Sequence, residues 1–264
     1  MKNVLITGAS GGMGLATARL LISQGYNVYG LDINEVQEFE HFHFYKTDIT
    51  NEQSIINSFN KIQQNIDGLD AIIHFAGIYD LNSLIEMPEE DFKRIFDINV
   101  FGAYRINKIF LPLLNKGGKI VITTSELATL DPLPFTGIYA ITKSALDKYA
   151  YSLRMEVQVL DYKVVVVRAG AVSTGLIDVS TEKLDKFTKT TTHYEYNAKR
   201  FKDIVNKVEA KTIKPEKIAI LINKILNKKN PRYAYSINRN KGLVLLNLLP
   251  QRLQNKIIKR IISK

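Results

Sequence analysis

Tyr139 and Lys143 stand four positions apart in Tyr139-Ala140-Ile141-Thr142-Lys143. On a helix that spacing stacks both side chains on one face, one turn apart. A phenol with its ordinary pKa near 10 moves protons poorly at neutral pH, and an adjacent ammonium is expected to lower it. The pair therefore points to general acid-base chemistry at oxygen. The setting adds weight. Ile120-Val121-Ile122-Thr123-Thr124 reads as a strand that delivers Ser125, 14 residues before the tyrosine. Both hydroxyls meet over one carbonyl if the intervening loop folds back.

A second cluster suits phosphate. The run Thr7-Gly8-Ala9-Ser10-Gly11-Gly12-Met13-Gly14 separates the apolar Val4-Leu5-Ile6 from Leu15-Ala16-Thr17-Ala18. Glycines between a strand and a helix permit a tight turn and bring bare backbone against a pyrophosphate at the helix N-terminus. Asp32 follows the next strand-like run, where an acidic residue accepts hydrogen bonds from a ribose diol and repels a 2′-phosphate. No Lys or Arg directly follows Asp32 or sits in the glycine turn. NAD is expected as the cofactor, with NADP disfavoured; the plainer reading of Asp32 is a solvated loop residue.

These residues need a scaffold. Short β-branched runs predict strands at Asn3–Thr7, Asn27–Leu31, His43–Lys46, Ala71–Phe75, Lys119–Thr124, Lys163–Arg168 and Arg232–Ser236. Helical stretches fall near 13–24, 51–65, 88–115, 136–160 and 215–228, with Thr50 and Gln53 on the capping side of the second and Pro88 opening the third. Strands alternating with helices predict an α/β fold: a doubly wound parallel seven-stranded sheet, in one domain. Residues 175–212, polar and rich in Thr and Lys, read as an irregular insertion and a substrate-binding lid. Residues 1–242 would form the catalytic domain and 243–264 a basic tail.

Of 264 residues, 36 are Lys or Arg and 26 Asp or Glu, for a net charge of +10. The surplus is confined to the end. Residues 1–210 hold 22 basic and 25 acidic residues, and residues 211–264 hold 14 basic residues and Glu216. A basic footprint at one terminus argues against a nucleic-acid partner. After Pro250, Leu253, Ile257, Ile258, Ile261 and Ile262 form a stripe flanked by Arg252, Lys256, Lys259, Arg260 and Lys264. Such a helix either packs on the body or a second subunit, or lies peripherally on an anionic membrane through residues 250–264. The chain has no Cys, which removes disulfides, thiolate metal sites and cysteine nucleophiles. No metal site is expected. Met1-Lys2-Asn3 runs straight into Val4, no apolar run is long enough to span a bilayer, and a cytoplasmic location is expected.

In order along nearly the whole chain, the motifs Thr7-Gly8-x-x-x-Gly12-x-Gly14, Asp32, Asp48-Ile49, Ala76-Gly77, Asn99-Val100, Ser125, Tyr139-x-x-x-Lys143 and Ala169-Gly170-x-Val172-x-Thr174 resemble the short-chain dehydrogenase/reductase family. The resemblance implies a Rossmann fold and interconversion of a secondary alcohol and a ketone. It makes Tyr139 the general acid/base and gives Ser125 the substrate oxygen. Lys143 would hold the nicotinamide ribose, and Asn99 a relay water. The cofactor would lie against Gly8, Ser10, Gly12, Met13, Gly14, Asp32, Asp48, Ile49, Ala76, Gly77, Asn99, Tyr139, Lys143, Val172 and Thr174. Asp48 would touch the adenine, and Val172 and Thr174 would flank the nicotinamide. It also implies a homodimer or homotetramer built on the helices at 88–115 and 136–160.

Four residues at three places depart from the family pattern. His74-Phe75 replaces Asn-Asn before Ala76-Gly77, Ala169 replaces a proline, and Glu126 adds a carboxylate read here as a solvent-facing loop residue. His41, His43 and His74 form no metal triad. His193 stands in the lid, where it could reach substrate. Leu176, Ile177, Leu184, Phe187, Tyr194 and Phe201 of the lid suit apolar substrate or plain packing. A membrane-bound tail would favour a lipid-like alcohol or ketone. Two rivals remain: a non-catalytic nucleotide-sensing protein, and a membrane-docked scaffold built on the tail.

Overall fold

Val164, Val165, Val166 and Val167 are fully buried, because their strand has helices on both faces and no side of it meets water. That strand, β6 (Lys163–Ala169), is one of seven in the computed structural model, which describes residues 1–209 and 211–263, with 175–181, 208 and 209 as backbone alone. The others are β1 (Lys2–Thr7), β2 (Tyr26–Asp32), β3 (Phe42–Lys46), β4 (Leu69–His74), β5 (Leu114–Ser125) and β7 (Ala234–Ile237). All pairings are parallel, in the order β3-β2-β1-β4-β5-β6-β7. This is the expected Rossmann-type sheet in a single α/β domain. The order reverses between β1 and β4, and the carboxyl ends of those neighbours part to leave a crevice.

One face of the sheet is covered by α1 (Gly12–Ser23) and α8 (Pro215–Leu226), whose Leu21, Ile218, Ile222 and Ile225 pack on Val4, Ile6 and Val165. The other face is covered by α2 (Glu52–Gln63), α4 (Gly102–Phe110) and α5 (Gly137–Val157), through Ile55, Ile62, Ile106, Phe110, Leu146 and Ala150. Two local expectations change. Asn51, not Thr50, caps α2, because its side chain accepts the Ser54 N–H at 3.1 Å. The long helix over 88–115 is divided into α3 (Glu89–Phe96), a π-turn at Asp97–Phe101, and α4, and it ends in a 3₁₀ turn that contains Pro112. Proline cannot continue the hydrogen-bond ladder, and π-turns recur where a side chain must be re-aimed. Here that side chain is Asn99.

The lid is not irregular. It forms α6 (Gly175–Thr190) and α7 (Glu195–Glu209), folded against each other. The tail forms α9 (Lys241–Asn247) and α10 (Gln251–Ile262). Ile258 and Ile262 of α10 pack on the lid with Phe187, Ala198 and Phe201. Asn197 and Arg200 of α7 donate to the Ile262 and Ile261 carbonyls at 2.9 and 3.2 Å, satisfying the end of α10. Leu253 and Ile261 stay exposed, so the stripe is divided. Leu176, Ile177 and Lys264 lie outside the described side chains.

Candidate active site

The glycine turn sits where β1 opens into α1. A Cβ on Gly14 would stand 2.1 Å from the Gly8 carbonyl oxygen, and one on Gly8 2.6 Å from the Ala76 nitrogen, with Gly8 at a φ of +71°. Only glycine permits this approach of two loops. The floor of the crevice is therefore bare main chain at a helix N-terminus, the surface a pyrophosphate requires. The crevice has a volume of about 1070 Å³. Gly8, Ser10, Gly12, Met13, Gly14, Asp32, Asp48, Ile49, Ala76, Gly77 and Thr174 all line it.

Asp32 is not a free loop residue. One oxygen accepts the Ser10 N–H at 3.1 Å and the other the Asn34 N–H at 3.0 Å, which ties β2 to the glycine turn. Asp48 accepts both the N–H and hydroxyl of Thr50. Ile49 packs beneath Gly102, where a Cβ would clash with it. Lys93 and Arg94 of α3 also border the crevice. Spacing along the chain gave no sign of them, since their approach depends on how α3 docks.

A smaller chamber of about 210 Å³ adjoins the crevice across Met13, Gly77 and Thr174. Ser125, Tyr139, Lys143 and Val172 line it. Ser125 is placed by the end of β5 and Tyr139 by the first turn of α5, and both side chains face the chamber. The intervening loop folds back and brings both side chains to one chamber. Lys143 donates to the Thr123 carbonyl at 3.4 Å, and its ammonium lies 5.6 Å from the centre of the Tyr139 ring. Tyr79 packs edge-on against that ring at 4.6 Å.

The expected acidified phenol is not what this geometry produces. Burial pushes the Tyr139 phenol up to about 12, with the Ser125 hydrogen bond pulling the other way, and burial pulls the Lys143 ammonium down to about 8. Desolvation disfavours both charged forms and is the largest cause of each shift. At neutral pH the phenol holds its proton.

Asn99 stands behind the chamber, 1% exposed. Its carbonyl oxygen accepts the Ile78 N–H at 2.8 Å, and its amide donates to the Ile78 carbonyl at 2.9 Å and the Thr142 hydroxyl at 3.1 Å. It thus clamps the loop after β4 to α5. A Cβ on Gly77 would meet the Asn99 oxygen at 3.1 Å and the Lys143 nitrogen at 3.4 Å, so glycine keeps open the space that both groups border.

The departures also find their places. His74 is buried and bonds Asn107 at 2.9 Å, and burial lowers its pKa to about 4. Glu126, expected in solvent, is 7% exposed and lines the chamber. Its reversal comes from Asn240, whose N–H it accepts at 2.7 Å from 114 residues away. His193 is exposed and outside the chamber lining. Its N–H donates to Glu86, which also accepts from Thr191 and Thr192 and so clasps the turn between α6 and α7. These four donors hold the Glu86 carboxyl down at about 2. Of the lid residues named from the sequence, Phe201 reaches the chamber, while Leu184, Phe187 and Tyr194 pack in a cluster with Leu81, Phe135 and Ile262. Leu243 of α9 closes another part of the wall. Among the described residues no His, Asp and Glu cluster could hold a metal, and no helix is long and apolar enough to cross a membrane.

A parallel sheet with a glycine-floored crevice at its switch point, opening on a Ser-Tyr-Lys chamber, defines an oxidoreductase that takes a nicotinamide cofactor. The model of the short chain dehydrogenase family matches residues 2–185. Among curated proteins, the chain is 30% identical over 232 residues to the 3-ketodihydrosphingosine reductase of Bacteroides thetaiotaomicron, covering 87% of this chain and 85% of that one. It is 26% identical over 275 residues to an uncharacterized oxidoreductase, YusZ, of Bacillus subtilis, covering 98% of each. Among solved structures, a short chain dehydrogenase family protein from Francisella tularensis superposes with a TM-score of 0.75 at 26% identity, over 90% of this chain and 97% of that one. The chain belongs to the short-chain dehydrogenase family.

Proposed function

We propose that the protein reduces a lipid-like ketone to a secondary alcohol with NADH. The observation that carries this reading is the convergence of Ser125, Tyr139 and Lys143 on one apolar chamber at its junction with the crevice. Ser125 holds the carbonyl oxygen. Tyr139, protonated at neutral pH, donates its proton to that oxygen as negative charge develops there. Lys143 supports the phenol electrostatically and presents donors to ribose hydroxyls. The nicotinamide cofactor, when bound, supplies the hydride. Asn99 fixes the loop that borders both compartments, and a water held by it and Lys143 would return the proton to Tyr139.

Asp32 supports NAD over NADP, since a carboxylate already fixed by two N–H groups repels a 2′-phosphate. Titration with each cofactor tests this: NADH is expected to bind at least about tenfold more tightly. Asp32→Ser would narrow the gap, and tighter binding of NADPH by the wild type would overturn the assignment.

A chamber of about 210 Å³ accommodates only the reacting end of a long substrate. The rest would run past Leu243 toward α9, where Leu245 and Leu248 are 65% and 76% exposed. The name of the Bacteroides relative, a 3-ketodihydrosphingosine reductase, supports a lipid-like ketone. The leucines, in the stretch of chain that carries the basic surplus, would meet an anionic bilayer. A homo-oligomer would use α4 and α5, which expose Tyr104, Tyr151 and Met155. The catalytic reading is tested by following NADH absorbance over a panel of sterol, long-chain, sugar-derived and small ketones. Within this panel, turnover confined to the sterol and long-chain ketones is expected. NADH binding without turnover of any of them would favour the nucleotide-sensing alternative.

A further inference from the structure

Glu126 is a buried carboxylate that the reaction above does not use. It follows Ser125 directly and forms part of the chamber wall. Oε2 is held by the Asn240 N–H at 2.7 Å, while Oε1 accepts no hydrogen bond among the described residues. Oε1 lies 3.2 Å from where a Cβ on Gly170 would stand, so the glycine leaves that oxygen uncovered on one side. Much of the remaining wall is apolar, including Met13, Phe75, Leu127, Leu133 and Leu243. A half-satisfied carboxylate is costly in such surroundings unless a donor or cation completes it. Burial already pushes its pKa up, with the Asn240 N–H and the Arg239 charge opposing.

We propose that Glu126 binds an ammonium group on the substrate close to the carbonyl held by Ser125 and Tyr139, so that the preferred substrate is a long-chain amino ketone. The proposal rests on the ketone-reductase reading and narrows it. Consecutive residues at the end of β5 address neighbouring groups of one molecule: Ser125 the oxygen, Glu126 the cation. A charge-assisted hydrogen bond to a carboxylate as buried as Glu126 is strong enough to set preference. The alkyl chain then leaves by the apolar wall.

The test compares kcat/KM, at saturating NADH, for an α-amino long-chain ketone and the ketone of equal length without the amine. The wild type is expected to favour the amino ketone by on the order of 30-fold or more. Glu126→Gln keeps an amide oxygen for the Asn240 N–H but removes the charge. It is expected to reduce that ratio to about threefold or less, mainly through the KM of the amino ketone. The wild-type ratio needs no variant and stands even if the substitution lowers the melting temperature. Equal use of both ketones by the wild type, or an unchanged ratio in Glu126→Gln, would overturn this inference alone. Failure to reduce either ketone would overturn the reductase reading with it.

Discussion

Lys143 is the side chain whose charge state most directly links structure to pH. Its ammonium is buried, donates to the Thr123 carbonyl and has a pKa pulled down to about 8. Below that pH it is charged and above it neutral. If it holds ribose hydroxyls, NADH affinity should fall as pH rises from 7 to 9, following a group that titrates near 8. Fluorescence titration of the free enzyme would show this limb, and Lys143→Met should remove it. An NADH affinity independent of pH over that range would contradict the role. Ser125, Tyr139, Lys143 and the glycine turn are legible from residue types and spacing, because their chemistry is local or nearly so. Glu126 is not, because Asn240, which buries it, lies far along the chain. The protonated phenol is hidden for a related reason: a Tyr-Lys spacing reveals the pair but not how much water surrounds it.

At the scale of elements, apolar runs marked all seven strands, since a strand buried on both faces has few alternatives to β-branched side chains. The lid escaped because α6 and α7 are amphipathic helices in a polar stretch, organised by distant partners: Glu86 at their turn, and Asp80 on Lys183 at 2.7 Å. The division of the 88–115 helix was hidden too, although Pro112 marked its end. Another cross-element contact has a measurable consequence. His74, at the end of β4, is buried against Asn107 of α4, and its pKa falls from 6.5 to about 4. The unfolded chain binds this proton more readily, so the contribution is complete above pH 6.5 and is lost as pH falls toward 4. The loss amounts to about 3 kcal/mol at most. Melting temperature should therefore drop between pH 7 and pH 4.5, and His74→Gln should flatten part of that drop. An identical slope in the variant would contradict the buried neutral imidazole.

For the whole molecule, the charge division visible in the sequence acquires a geometry. The basic end of the chain contributes α9, whose Leu243 forms part of the chamber wall while Leu245 faces outward. The sequence left the isoleucine stripe of α10 two uses, packing on the body or a second subunit and lying on a membrane. The structure turns Ile258 and Ile262 of that stripe onto the lid and leaves the leucines nearer the chamber exposed. Cations near anionic headgroups contribute about 1 kcal/mol each. The protein should therefore co-sediment with phosphatidylglycerol vesicles, bind phosphatidylcholine vesicles weakly, and be released by salt. Leu245→Ser with Leu248→Ser should cut binding several-fold. Equal partitioning of the double variant and the wild type would place the contact elsewhere.

One proton on one phenol decides the mechanism. Its most direct measurement is turnover of a reducible ketone by Tyr139→Phe, taken alongside that variant's NADH affinity. Loss of a positioned acid should lower kcat by about 10²-fold to 10⁴-fold, with the NADH dissociation constant within a few-fold of the wild type. A variant that binds NADH and still turns over at the wild-type rate would show that the proton comes from elsewhere.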